Sequence, residues 1–215
     1  MNTKDRILDT AERLFARDGV EATSLRAITT EAGVNLAAVN YHFQSKEALL
    51  HAVISRRVGP MNSRRIELLN AVEARAFGDL LPVAEVLDAF LRPVFEMFAT
   101  NAKEFTPMMG RIFTESTEVL EKVFRTHMAE VAERFMAAFQ RALPDIPKLE
   151  LVWRLHFTFG AMVHTMSATR ALKLLSNGLC DPTDVESTLK RMKSFLIGGL
   201  MAPIPVFEEV EHAAR

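Results

Sequence analysis

Apolar residues recur at helical spacing along almost the whole chain. Ile7, Leu8, Ala11, Leu14 and Phe15 fall at i, i+1, i+4, i+7 and i+8, the buried stripe of a first helix that Gly19 closes. Leu25, Ile28 and Ala32 mark a short second helix. Gly33 follows where a helix ends in a left-handed residue, a conformation glycine adopts without a Cβ penalty. Asn35 stands where it can cap a third helix running to about Phe43. Ser45 stands likewise before a long fourth helix, with Glu47 in the first turn, where negative charge suits the helix dipole. The periodicity then predicts helices near 45–75, 82–100, 103–114, 117–142, 148–177 and 182–202, with Pro82, Pro144, Pro147 and Pro182 punctuating the gaps. Pro182 suits a first turn, and Pro93 inside the fifth helix predicts a kink. Alternating β-branched runs are missing, so the predicted fold class is all-α.

Two short helices joined at a glycine turn form a helix-turn-helix, whose second helix enters the major groove of DNA. Residues 35–41 are then the reading segment, with Asn35 and Leu36 at its start. Asn40 can pair bidentately with adenine, and Ala37 or Ala38 can touch a thymine methyl.

The stretches TKDRILDTAERLFARDGVEATSLRAIT and AAVNYHFQSKEALL, in that order, make residues 2–58 resemble the DNA-binding domain of TetR-family regulators. The resemblance implies an N-terminal three-helix DNA-binding domain over residues 1–50 and an effector-binding and dimerisation domain over 51–215. It implies a homodimer on a palindromic double-stranded operator, released by a small ligand. Tyr41, His42 and Lys46 match the family's phosphate-contacting positions, and Ser24 and Arg26 lie near the start of the preceding helix. His42 suits helix packing equally well. Asn40 departs from the commonest family pattern, which has an aromatic residue there, so no base preference carries over.

The segment 148–177 is apolar nearly all round, which requires burial on more than one side. One stripe holds Trp153, His156, Phe157, Gly160 and His164; the other holds Leu151, Leu155, Met162, Met166 and Thr169. An interior cavity on one side and a subunit partner on the other account for both, and the stripes alone leave open which is which. The last helix carries Val185, Leu189, Met192, Leu196, Gly199 and Leu200 as a second partner stripe, and in the family the last two helices form a four-helix dimer interface. The dimer candidates are therefore Met162, Met166, Thr169, Leu189, Leu196 and Leu200.

Phe and Met concentrate after residue 90, a composition that suits either ordinary core or an adaptable apolar cavity. Phe95, Phe98, Met108, Ile112, Trp153, His156, Phe157 and Gly160 are the candidate lining residues. GVNLAAVNYHF with LELVWRLHFTFGAMVHTMS resembles the TetR-family branch that answers to long-chain fatty acids or acyl-CoA thioesters. An aromatic or drug-like effector is the alternative. A fatty-acyl guest needs a polar or cationic mouth, for which Arg111, His156, His164 and Arg170 are the candidates. Arg111 either pairs with Glu115 or faces an anion, because a buried guanidinium costs several kcal/mol unpaired.

Composition narrows the remaining classes. The chain has 215 residues, 49% of them hydrophobic and 25% charged, enough for a substantial core. Its net charge is −1, and residues 1–50 carry six basic and seven acidic side chains, so bulk positive charge does not hold nucleic acid. Few phosphate ion pairs per subunit are expected, with helix N-termini and dimerisation supplying the rest. A single cysteine, Cys180, and no apolar leader or spanning segment predict a soluble cytoplasmic protein. No nucleophile elbow, P-loop, dinucleotide fingerprint or zinc spacing is present, so neither an enzyme nor a cofactor or metal site is expected. The reading from a different class is a helical lipid carrier that never meets DNA.

Overall fold

The computed structural model describes residues 2–112 and 117–206, leaving aside the side chains at 101–104, 106–107 and 110–111. The described residues form ten helices and no strand. They are α1 (Thr3–Asp18), α2 (Leu25–Ala32), α3 (Leu36–Phe43), α4 (Lys46–Ala76), α5 (Val83–Ile112), α6 (Thr117–His127), α7 (Ala129–Ala142), α8 (Lys148–Ser167), α9 (Thr169–Leu175) and α10 (Val185–Leu200).

The helix starts follow from side-chain caps. Asn2, Ser24, Asn35 and Ser45 each accept a hydrogen bond from the backbone N–H three residues on, satisfying one orphan donor per helix. Gly33 ends α2 in the left-handed region, at φ 63° and ψ 41°. A Cβ there would come within 2.9 Å of Arg6 Nη2, which itself donates to the carbonyls of Ala32 and Gly33. The turn therefore needs glycine for its backbone, whereas the Arg6 guanidinium, at the end of a flexible side chain, can give way.

Ile7, Leu14 and Phe15 of α1, Ile28 of α2, Val39 of α3 and Leu49 and Val53 of α4 belong to one buried core. Beyond this module α5 is the central helix, packed against α1, α4, α7, α8 and α10. Three boundaries differ from the sequence reading. The fifth and sixth predicted helices are one, because nothing across residues 100–103 breaks the pattern and Pro93 does not end it. The predicted 117–142 divides at Met128, and 148–177 divides at Ala168, both without glycine or proline to signal it.

One buried carboxylate joins α1 to α4. Glu12 accepts from Arg56 Nη2 at 2.6 Å and from Arg57 Nε at 3.1 Å, while Asp9 takes Arg56 Nη1 at 2.7 Å. A second cluster joins α5 to α10: Asp88 receives Arg92 at 2.9 Å and Lys193 at 2.5 Å, and Arg92 reaches on to Glu186. Burial disfavours the charged form of Asp88, but these hydrogen bonds outweigh it and hold the carboxyl below its ordinary range. Arg154 ties α8 to α10 by donating to the Leu200 carbonyl at 2.6 Å while pairing with Glu150.

Glu12→Ala leaves two half-buried guanidinium groups facing an emptied site, so it is expected to lower stability by roughly 2–4 kcal/mol. Chemical denaturation of the variant beside wild type measures it.

Candidate functional site

The third helix shows one face to its own module and the other to solvent. Val39 and Phe43 are buried, whereas Leu36, Ala37, Asn40 and Tyr41 are exposed. Tyr41 is 84% exposed and meets the His42 ring edge-on at 5.1 Å. Asn35 is exposed and its side chain caps the helix, accepting from Ala38 N at 2.8 Å. Ser24 is occupied in the same way, accepting from Ala27 N at 3.1 Å, and Arg26 beside it is exposed. His42 is half-buried, between the two roles its sequence position allowed. Lys46 is the exception among the proposed phosphate contacts. Its ammonium donates to the carbonyls of Val20 at 3.0 Å and Glu21 at 3.1 Å, just beyond the end of α1, which uses two of its three N–H groups.

The acidic balance of the module is largely internal. Glu12 and Asp9 are paired by the two arginines of α4, Glu31 by Arg13 and Asp18 by Arg17. The exposed face of α3 itself carries no carboxylate.

In the larger part, the two faces of α8 are exchanged relative to the sequence expectation. Trp153, His156, Phe157 and Gly160, read as cavity lining, point outward, with Trp153 53% and Phe157 61% exposed. Met162, read as a partner contact, is buried, and half-buried Met166 lines an interior cavity beside it. Leu189, Leu196 and Leu200 are likewise buried within the chain's own core, so they cannot meet a second subunit. Thr169 is half-buried at the start of α9. The side of α10 that does face outward holds Phe195, Gly198 and Gly199. Hydrophobicity could not separate the two sides of a helix that is apolar on both.

Two apolar cavities adjoin in the middle of the larger part. One, of about 140 Å3, lies among α4, α5, α6 and α7 and is lined by Phe90, Ile112, Leu120, Val123, Phe124 and Val131. The other, of about 110 Å3, is lined by Met61, Met97, Phe98, Phe105, Met162 and Met166. Met109, Met128, Phe159 and Arg65 belong to the walls of both. Phe98 and Ile112 thus line cavity space as expected, whereas Phe95 and Met108 are buried in the surrounding core. The Arg111 side chain and Glu115 lie outside the described residues. His164 and Arg170 are exposed, and His164 borders an open surface groove instead.

Arg65 was not among the sequence candidates. It is 5% exposed, donates Nε to the Phe90 carbonyl at 2.8 Å, and sits 4.3 Å over the Phe90 ring. Its signal was present all the same: Met61, Arg65, Leu69 and Val72 are one buried stripe of α4, with a cation at a position that is otherwise apolar.

The seam between α6 and the DNA-reading module is polar. Lys122 bridges Glu118 at 3.0 Å and Glu47 at 3.3 Å, and Glu21 and Leu50 border the same groove. His51 Nδ1 and His127 Nε2 lie 3.0 Å apart, and Asn62 Nδ2 donates to the His127 carbonyl at 2.7 Å. Burial and then the neighbouring His51 push the His127 value down.

A capped, outward-facing third helix set on a three-helix module, joined by a long helix to an all-helical domain with apolar cavities, defines a helix-turn-helix regulator. The comparisons give the particular family. Residues 7–53 match the model of bacterial regulatory proteins, tetR family, and residues 88–199 match the tetracyclin repressor-like C-terminal domain. The chain belongs to the TetR family of DNA-binding transcriptional regulators, and it is not an enzyme.

It is 31% identical over 127 residues to the uncharacterized HTH-type transcriptional regulator YerO of Bacillus subtilis, covering 58% of this chain and 42% of that one. It is 42% identical over 52 residues to the nicotine-responsive transcriptional repressor HdnoR of Paenarthrobacter nicotinovorans, covering 24% and 27%. The chain therefore spans under half the length of these curated relatives. Its fold is similar to that of a TetR-family regulator from Bordetella parapertussis, with TM-score 0.67, 19% identity and coverage of 95% and 99%. It is similar also to that of the fatty acid degradation regulator FadR from Bacillus halodurans, with TM-score 0.65, 17% identity and coverage of 94% and 97%. Among the described residues no helix is long and apolar enough to cross a membrane.

A His value below its ordinary range of about 6.5 means that the unfolded chain takes up a proton before the folded one does. His127 therefore contributes stability that is complete above the unfolded value and lost as pH falls through the folded one. The melting temperature should drop as pH falls below about 6.5, and His127→Gln should flatten that slope in differential scanning calorimetry.

Proposed function

We propose that the protein is a homodimeric repressor that binds a palindromic operator and is released by an apolar effector of the fatty-acyl class. The observation that carries the DNA half is the exposed, carboxylate-free face of α3 held out by the Gly33 turn. On this reading Asn40 reads a base edge, Leu36 and Ala37 make apolar base contacts, and Tyr41, His42, Ser24 and Arg26 fix the register on the phosphates. Residues 1–50 act as the reading module, and 51–215 hold the effector and the partner.

The outward stripes of α8 and α10 support the dimer. Val152, Trp153, Phe157 and Phe195 form an exposed apolar surface of the kind that water-soluble chains cover. Two such helices from each subunit make a two-fold, self-complementary contact, and two-fold symmetry gives two half-sites on the duplex.

The cavities support an apolar effector. Six methionines in their walls, Met61, Met97, Met109, Met128, Met162 and Met166, allow the space to reshape around a flexible chain. The fold shared with a regulator named for fatty acid degradation points the same way. Coupling then runs through α6, whose Leu120, Val123 and Phe124 line the cavity while Lys122 holds Glu47 of α4. A ligand regulates only by preferring one arrangement of α6 over the other.

Three outcomes are expected. A fragment from upstream of the protein's own gene should be retarded at low salt, and long-chain fatty acids or acyl-CoAs, not planar aromatics, should release it. Asn40→Ala should relax discrimination at one base pair of each half-site by roughly 1–3 kcal/mol; uniform binding to all operator variants before and after the change places another residue at the base edge. Trp153→Glu with Phe157→Glu should yield monomers in analytical ultracentrifugation and abolish retardation, and a dimer that persists would move the interface elsewhere.

A further inference from the structure

Arg65 is a buried cation without a counter-ion among the described residues. No carboxylate pairs with it among the described residues, and desolvation by burial, which brings it down to about 9, is its only perturbing influence. It stays charged at neutral pH. Of its five N–H donors, Nε is taken by the Phe90 carbonyl at 2.8 Å and one Nη1 hydrogen reaches Asn62 Oδ1 at a long 3.4 Å. Nη2 donates to no described group. The other buried arginine, Arg154, is satisfied by Glu150 and two carbonyls, so an unpaired guanidinium is not the habit of this fold.

The position of the charge matters as much as its isolation. Arg65 belongs to the walls of both apolar cavities, at the place where they adjoin. A cation lining apolar space and compensated only by one carbonyl, one long amide contact and a ring face is costly, and an anion that brings its own apolar body offsets the cost. A planar carboxylate suits the guanidinium fork best, through two parallel charge-assisted hydrogen bonds.

We propose that Arg65 is the anchor for the free carboxylate of an amphipathic effector, whose hydrocarbon tail lies among Met97, Met109, Met128 and Met162. This rests on the effector reading above and narrows it. The ligand is a monocarboxylic acid with its head inside the domain, not a CoA thioester, whose carbonyl is uncharged and whose coenzyme A, joined at that end, would have to fit in the same buried space. The same contact explains transmission. Asn62, the second acceptor of Arg65, also holds the His127 carbonyl where α6 passes into α7. An anion drawing the guanidinium toward itself loosens the group that fixes that junction.

Calorimetric titration of the full chain with decanoate, methyl decanoate and decanoyl-CoA tests this, using wild type, Arg65→Met and Arg65→Lys. Wild type should bind decanoate about ten-fold or more tightly than the ester or the thioester, a charge-assisted pair being worth that much. Arg65→Met should bring acid and ester within about two-fold, and Arg65→Lys should restore part of the preference. Wild type that fails to prefer the acid overturns the proposal without any variant, and so does Arg65→Met that keeps the preference. Operator retardation run alongside separates the two readings. Arg65-dependent binding of decanoate that leaves DNA binding unchanged upholds the anion site and removes the regulatory role of the effector. Retardation relieved by decanoyl-CoA alone upholds that role and removes Arg65 as its anchor.

Discussion

The structure depends on the carboxylate of Glu12, the only buried one among the described residues, clamped between Arg56 and Arg57. A helix of 31 residues such as α4 is roughly 45 Å long at 1.5 Å per residue, and its two ends belong to different jobs. Its first turns pack beneath α3, and its middle walls the cavities with Met61 and Arg65. Without a rigid joint between α1 and α4, the reading helix could swing independently of the domain that holds it. Four charge-assisted bonds to one carboxylate, from Arg56 Nη2, Arg57 Nε and Arg57 Nη2, resist that swing better than apolar contacts alone, because their geometry is directional. The hydrophobic core supplies the adhesion, and the clamp supplies the angle.

The same clamp resolves the charge deficit that the sequence presents. Residues 1–50 look acidic, a poor start for a partner made of phosphates. Asp9 and Glu12, however, are neutralised by arginines that lie beyond residue 50, and Glu31 and Asp18 by arginines within the module. What faces outward on α3 is amide, hydroxyl and apolar surface. Domain-by-domain charge counting fails here because the counter-charges sit on a helix that the two parts share.

The sequence disclosed the DNA end almost in full, because local chemistry decides it. Gly33 in the left-handed region and the caps at Asn35 and Ser45 are each determined by a few neighbouring residues, and all three stand where the spacing puts them. The larger part was legible only as helical. Both sides of α8 are apolar, one for its own core and one left outside, and no periodicity tells a core from an interface. The breaks at Met128 and Ala168 come from packing and not from helix-breaking residues, so they too were hidden. Arg65 was missed for a different reason: in RRIELL it reads as one of two solvated arginines, and only its register with Met61 and Leu69 gives it away.

On the effector reading proposed above, that register also gives a ligand signal a path to the DNA end. Arg65 lies five turns along the helix from Lys46, at about 3.6 residues per turn, yet the path need not run along α4 itself. Arg65 touches Asn62, Asn62 holds the α6–α7 junction through His127, and the other face of that junction meets His51, little more than a turn into α4 and just past the end of the reading module. On the far side of α6, Lys122 grips Glu47. The first turns of α4 are thus held at two points by a short helix whose inner face is cavity wall. Packed interiors move between discrete arrangements in preference to deforming smoothly. A helix with its inside on a ligand and its outside on α4 therefore has few ways to respond, and each of them changes the grip on Glu47 and His51.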